Sequence, residues 1–204
     1  MDWLVAKAHR LSAQAGMPLS EAFTRVYDEL AAKPPFRQRL ASPATRLFWC
    51  DSGLGGLARW LRAAGYDARW HPRIADEELL LEARKLAATI LTTDSLLMER
   101  KLLRDGVIPA YWLPPTLSIA EALALVFREF GLTQGEPRCM SCGGELRRVE
   151  KEVLRERIPP KTYRWLDEYF VCARCDRLFW RGTHWARINA QLERIAAQGK
   201  TRQV

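Results

Sequence analysis

Leu47-Phe48-Trp49-Cys50-Asp51-Ser52-Gly53-Leu54-Gly55-Gly56-Leu57-Ala58-Arg59-Trp60-Leu61-Arg62 is the stretch on which the fold turns. Its four apolar residues form a run of strand length, suited to burial on both faces, and the run ends at an acid, Asp51. Leu54, Leu57, Ala58 and Leu61 then recur at i, i+3, i+4 and i+7, the apolar face of an amphipathic helix. Gly65 supplies its stop. A buried strand that runs straight into a helix is the first half of a βαβ unit.

The alternation continues downstream. Residues 66–70 read as a second strand and residues 76–88 as a helix with Leu79, Leu80 and Ala83 inward. Residues 89–92 read as a third strand that ends just before Asp94. A helix over 95–104, a strand over 107–112 and a helix over 118–130 complete the pattern. Pro114-Pro115 breaks the chain, and Ser118 with Glu121 has capping-box spacing. Strands alternating with helices predict an α/β domain over residues 46–135. It has three layers, α/β/α, with a parallel sheet and right-handed crossovers. Gly135-Glu136-Pro137 reads as a linker to a third segment, 136–204, with a terminal helix over 185–197. Upstream, residues 2–15 and 20–32 read as two short helices. Ser20 is a candidate cap for the second, and Pro34-Pro35 ends it. Residues 1–45 carry no catalytic constellation and read as an appended helical segment, a place for a protein partner.

Composition narrows the function classes. The 204 residues are 27% charged and 48% hydrophobic, which excludes a disordered or fibrous chain. No apolar run approaches the ~20 residues of a membrane span. The N-terminus carries Asp2 and lacks a long apolar region, so a secretory signal is not expected and the cytoplasm is. The net charge of +8 invites a nucleic-acid partner. Its distribution says more: residues 1–45 carry +2, residues 46–135 carry 0 and residues 136–204 carry +6. Aromatic content does not single out the basic segment, with 7 of its 69 residues against 20 of 204 in the chain.

In an open parallel sheet the functional crevice lies at the carboxyl ends of the strands. Asp51 ends the first strand, Asp94 follows the third, and Asp76 opens the helix after the second. Three carboxylates gathered there would repel one another unless a cation resolved the repulsion, and oxygen ligands suit Mg²⁺ or Mn²⁺. A metal so held activates water and stabilises an in-line phosphoryl displacement. Each acid also has a bland explanation. Asp76 and Asp94 are good N-caps. Asp51 is harder to explain as a cap, because Ser52 would serve equally well. Glu121 is a possible fourth ligand that its capping box accounts for, and Glu77 or Glu78 could stand in for Asp76. A rival motif overlaps the site: Gly53, Gly55 and Ala58 satisfy the dinucleotide fingerprint G-x-G-x-x-A. Against it, Asp51 would face the pyrophosphate, and no acid ends the second strand.

Cys139-x-x-Cys142 and Cys172-x-x-Cys175 stand 29 residues apart. Two knuckles of this kind present four thiolates to one structural Zn²⁺, with Gly143-Gly144 at a turn that needs positive φ. The zinc would supply folding energy to a short segment. Arg147, Arg148, Lys151, Arg155 and Arg157 are candidate phosphate contacts or a solvated face, and Arg181, His184 and Arg187 form a second basic group. Cys50 reads as a small core residue and His9 as a surface one. Arg59 and Arg62 fall on the polar face of the first α/β helix, where they could position a nucleic-acid backbone.

The motif from Asp51 to Arg62, with Gly65-Tyr66-Asp67 after it, resembles the opening of PIN-like RNases. It is similar in particular to the Mut-seven C-terminal RNase family. Ile90-Leu91-Thr92-Thr93-Asp94 matches that family's apolar strand ending in Thr-x-Asp. The two knuckles and Phe179-Trp180-Arg181-Gly182-Thr183-His184-Trp185 match its zinc ribbon. The resemblance covers residues 46–190. It implies a PIN-like α/β/α nuclease domain with an attached zinc ribbon that assists RNA binding. It implies Asp51, Asp76 and Asp94 as catalytic acids holding Mg²⁺ or Mn²⁺, and a metal-dependent endoribonuclease acting on RNA phosphodiesters. The alternative is a non-catalytic RNA-binding or ribonucleoprotein adaptor on the same fold.

Overall fold

The computed structural model describes residues 2–31 and 47–200. The chain divides into two compact units: residues 1–55 with 70–122, and residues 56–69 with 123–204. Pro34-Pro35, the expected stop of the second helix, lies outside the described residues.

In the first unit, α1 (Asp2–Ala15) and α2 (Leu19–Ala31) form a helical hairpin with a small core of Ala8, Phe23 and Val26. α2 begins at Leu19, one residue ahead of Ser20, and the Pro18 carbonyl accepts the Glu21 and Ala22 N–H groups. Along the chain then follow β1 (Leu47–Cys50), a 3-10 turn (Ser52–Leu54), α3 (Gly55–Ala63) and β2 (Asp67–Trp70), the last two falling almost wholly in the second unit. Next come α4 (Asp76–Lys85), β3 (Thr89–Thr92), α5 (Ser95–Met98), α6 (Lys101–Arg104), β4 (Ala110–Trp112) and α7 (Ile119–Glu129). The four strands make one parallel sheet in the order β2-β1-β3-β4, flanked by helices, so the expected α/β architecture is present. Every residue of β3 is buried, as a central strand covered on both faces must be.

One face of the sheet carries a core of Trp49 and Ile90 from the strands with Leu79, Leu80 and Ala83 from α4 and Leu97 and Leu103 from α5 and α6. α4 stops three residues earlier than the apolar pattern allows. Ala87 takes the left-handed conformation (φ +50°) in place of a glycine, and the Ala88 N–H returns to the Ala83 carbonyl. The helix expected over 95–104 is two. The Glu99 and Arg100 N–H groups close tight i→i+3 bonds, and Arg100 turns extended to become the N-cap residue of α6. β4 starts later than its apolar run because Pro109 has no N–H to give the ladder, although its carbonyl accepts from Ile90.

In the second unit the three strands β5 (Leu146–Val149), β6 (Tyr169–Cys172) and β7 (Leu178–Trp180) form an antiparallel sheet, with α8 (Pro160–Trp165) before β6 and α9 (Thr183–Lys200) last. Leu154, Ile158 and Tyr169 form its small core.

Candidate metal centres

β1 and β3 are parallel neighbours with Cys50 opposite Leu91, so their carboxyl ends finish side by side. Asp51 and Asp94 therefore leave the sheet at one edge. The Asp51 N–H still bonds the Leu91 carbonyl at 2.9 Å. Between the two acids stands Thr92, fully buried. Its Oγ1 donates to Asp51 Oδ2 at 2.7 Å and accepts the Asp94 N–H at 2.9 Å. Asp51 Oδ1 takes the Ser52 N–H at 2.5 Å, and Asp94 Oδ1 caps α5 through the Leu96 N–H at 2.7 Å. Both carboxylates are thus held by neutral donors. The capping account of Asp94 is correct. Asp51 itself, and not Ser52, caps the 3-10 turn.

Asp76 has no such explanation. The N-cap residue of α4 is Ala75, without a side-chain cap, and Asp76 is the first helical residue. Burial pushes its carboxyl above the usual range. Arg100 opposes that shift, and the charges of Asp94, Asp51 and Glu77 add to it. Asp76 therefore lies within electrostatic reach of Asp94 and Asp51. Arg100, presented by the break between α5 and α6, lies 3.9 Å from Asp76 Oδ2 and also pairs with Glu77. Among the described residues no carboxylates form a cluster as tight as the cysteines described below. A carboxyl whose pKa is raised by folding binds its proton more tightly in the folded chain, so its repulsion weakens the fold above its folded pKa and vanishes below its unfolded one. In metal-free buffer Asp76→Asn should therefore melt higher than the parent at pH 7. The difference should disappear as pH falls below the ordinary carboxylate range, which melting curves against pH will read.

Glu121, the possible fourth ligand, is engaged in its own cap. It accepts from the Ser118 N–H at 2.8 Å and its hydroxyl at 2.7 Å, the expected capping box. Gly55, a member of the dinucleotide fingerprint, has a packing reason. A Cβ there would stand 2.6 Å from the Trp70 ring, whose Nε1 donates to the Ser52 carbonyl at 2.8 Å.

The four cysteine sulfurs lie within 4.8 Å of one another. Cys139 and Cys175 are 3.6 Å apart, and Cys142 and Cys172 are 3.4 Å apart. A tetrahedron with Zn–S of about 2.3 Å has edges of about 3.8 Å, so the cluster fits that ion. The two knuckles are built alike. In each, the residue four beyond the first cysteine is left-handed: Gly143 (φ +77°) and Asp176 (φ +55°). Its N–H returns to that cysteine's carbonyl, at 2.7 and 3.0 Å, and the next carbonyl, of Gly144 or Arg177, accepts the cysteine N–H at 2.9 Å. Burial pushes the Cys142 thiol up to about 12. At Cys172 burial acts the same way, but the N–H groups of Cys175 and Arg174 outweigh it and bring the thiol down to about 7.

The basic residues sort differently from expectation. Arg62 is a correction: it is 3% exposed and cannot meet a nucleic-acid backbone. Its Nε donates to the Ala68 carbonyl at 2.6 Å, and Nη1 lies 3.1 and 3.0 Å from the Met140 and Ser141 carbonyls, so it ties α3 and β2 to the first knuckle. The 3.6 period puts this residue beside Leu61 at the margin of the apolar stripe, where periodicity alone cannot assign a face. Arg62→Met keeps the stem but leaves buried carbonyls unpaired. It should cost about 3 kcal/mol, read as a lower denaturant midpoint. Arg59, Arg147 and His184 are exposed. Arg148 is exposed and lies 3.6 Å from Glu168. Arg181 lies 3.8 Å from Glu136 and 3.4 Å from Glu168, in ion pairs open to solvent. Thr92 was the functional candidate that inspection of charged residues passes over. Its signal is a hydroxyl at the end of a buried strand, two residues before an acid.

No curated protein and no solved structure matches the chain. The family model of the Mut7-C RNAse domain matches residues 46–192, which takes in the parallel sheet, the acidic edge and both knuckles. The chain belongs to the Mut7-C RNAse domain family.

Proposed function

We propose that the protein is a metal-dependent endoribonuclease. In this reading Asp51, Asp76 and Asp94 are the catalytic acids and hold Mg²⁺ or Mn²⁺, and Cys139, Cys142, Cys172 and Cys175 hold a structural Zn²⁺. The observation that carries it is the Thr92 hydroxyl, which donates to the Asp51 carboxylate and accepts the Asp94 N–H where β1 and β3 end. Membership of an RNase family supports the reaction class.

The donor set is all oxygen at the acidic edge, which suits a hard cation. When bound, Mg²⁺ or Mn²⁺ supplies a water of lowered pKa and positive charge for the leaving oxygen. The chain's own residues prepare that chemistry. The Asp94 N–H occupies the acceptor side of Thr92 Oγ1 and so directs its proton at Asp51 Oδ2. Ser52 N–H holds the other Asp51 oxygen. Leu96 N–H fixes Asp94 through Oδ1 alone, which leaves Oδ2 for a ligand. Asp76 is held loosely at 3.9 Å by Arg100, a surface pair that a cation can displace. Exposed Arg59 and the ribbon's Arg147, Arg148 and His184 are the proposed RNA contacts. Arg181 joins them.

We take residues 1–45, 46–135 and 136–204 as helical segment, nuclease domain and zinc ribbon with terminal helix. The α1–α2 hairpin lies outside the family match and is the proposed site for a protein partner. No helix of the described residues is long and apolar enough to cross a membrane. Four paired thiols suit a reducing compartment, and we place the protein in the cytoplasm.

The test is cleavage of end-labelled RNA with Mn²⁺ and with EDTA, by the parent chain and by Asp51→Asn and Asp94→Asn. Cleavage that needs Mn²⁺ and both acids supports the reading. Cleavage that persists in both variants overturns the site, and RNA binding without cleavage by the parent chain leaves the adaptor.

A further inference from the structure

The second unit holds a cleft of about 410 Å³, lined by Gln134, Glu136, Arg181, Trp185 and Asn189 with glycine backbone between them. That volume is in the range of small-ligand sites. The one aromatic ring among its lining residues is that of Trp185, which Phe170 backs from outside the lining. The rings of Phe170 and Trp185 are parallel within 9°, with centroids 6.3 Å apart. The Arg181 guanidinium lies over both, 5.3 Å from the Phe170 centroid and 5.9 Å from that of Trp185. Stacked in this way and paired with two carboxylates, Arg181 stiffens the ring pair.

The polar side of the cleft points the same way. Gln134 Nε2 lies 3.4 Å from Asn189 Oδ1, so the pair retains an acceptor on Gln134 and a donor on Asn189. Adjacent donors and acceptors read the edge of a heterocycle. The Glu136 carboxylate, 92% exposed, disfavours an anion and accepts from an amino group. A π-face and a donor–acceptor edge beside a carboxylate describe a pocket for a base better than one for a backbone phosphate.

We propose that this cleft binds one unpaired nucleobase of single-stranded RNA, stacked on the Trp185 indole. The inference rests on the reading of RNA as the ligand and assigns the ribbon a share in choosing single strands. Base stacking on an aromatic side chain tolerates any base, because every base has a π-face.

The experiment measures binding of a fluorescein-labelled ten-nucleotide single-stranded RNA, and of the same sequence as a duplex, to the zinc-loaded full chain in EDTA-free, Mg²⁺-free buffer. Trp185→Ala should weaken single-strand binding about tenfold and leave the duplex unchanged. Trp185→Phe should stay within about threefold of the parent. The salt dependence of the Trp185→Ala chain should keep the parent's slope, because no ionic contact is lost. Equal single-strand affinity in parent and Trp185→Ala overturns the site, as it would if the cleft held a peptide. So does an equal loss for the duplex, a changed salt slope, or no measurable affinity of the parent for the single strand. Unchanged melting temperature and zinc content in Trp185→Ala exclude misfolding as the cause; if they change, the Trp185→Phe and duplex comparisons decide. Cleavage is not read in this experiment. A parent chain that never cuts RNA would sink the nuclease reading and leave this one standing.

Discussion

Asp51→Asn should lower RNA cleavage by about a thousandfold, equivalent to about 4 kcal/mol of lost transition-state stabilisation, while the chain stays folded. The substitution keeps the shape of the side chain. One oxygen remains, and it can still accept either the Ser52 N–H or the Thr92 hydroxyl, which now stand at the two oxygens at 2.5 and 2.7 Å. The charge goes, and with it the main reason for a divalent cation to sit between the ends of β1 and β3. Asp94→Asn should do as much damage, since the amide oxygen can keep the cap on Leu96 but offers no anionic ligand beside it. Folding should suffer little in either case, because both acids are only partly buried. A quenched-flow or gel assay with Mn²⁺, together with melting curves, separates the two effects. A hundredfold loss accompanied by a large fall in melting temperature would speak for a structural role instead.

How much of this was readable from the residues depends on what kind of signal each element left. β3 and the apolar half of α3 were legible because continuous and 3.6-period hydrophobicity are written directly in the side chains. The end of α4 was not. Chain reversal there uses Ala87 at φ +50°, a conformation that sequence reading reserves for glycine or asparagine. The two knuckles make the same point side by side. Gly143 announces the left-handed residue of the first, whereas the second places Asp176 in the equivalent position, where an acid reads as a surface charge. At the acidic edge the carboxylates were legible as types at strand ends. What joins them was not: Thr92 is a β-former in a strand, and nothing local distinguishes a hydroxyl that links one acid's carboxylate to the backbone N–H of another from one that bonds a neighbour. Arg62 failed for a related reason. Long basic side chains bury their stems and reach their partners far along the chain, here 78 residues away at Met140, and no local pattern encodes that partner.

Chelating the zinc should unfold the β5–β7 ribbon, and the four cysteines should differ in how much each matters. The ribbon's own core is small, with only Leu154, Ile158 and Tyr169 fully enclosed. Structural zinc contributes apparent folding free energy of about 10–16 kcal/mol in small domains, far more than three buried side chains supply at about 1.5–3 kcal/mol each. Removal also releases the turn whose Met140 and Ser141 carbonyls face the Arg62 guanidinium, leaving buried donors without acceptors. Cys139 and Cys172 are buried, Cys142 is half-buried and Cys175 is exposed. Cys139→Ser should therefore abolish zinc retention and the folded ribbon, since a buried hydroxyl is a poor ligand in a site with no water to replace it. Cys175→His, at the open corner, should keep one zinc per chain with a reduced melting temperature, because an exposed imidazole has room to reach the ion and suits it. Zinc content after dialysis, near-ultraviolet circular dichroism of the ribbon aromatics and melting curves read all three outcomes. Because thiols must lose their protons to bind, retention should weaken steadily as pH falls. A ribbon that melts identically with and without chelator would mean that the four sulfurs cluster for some reason other than a metal.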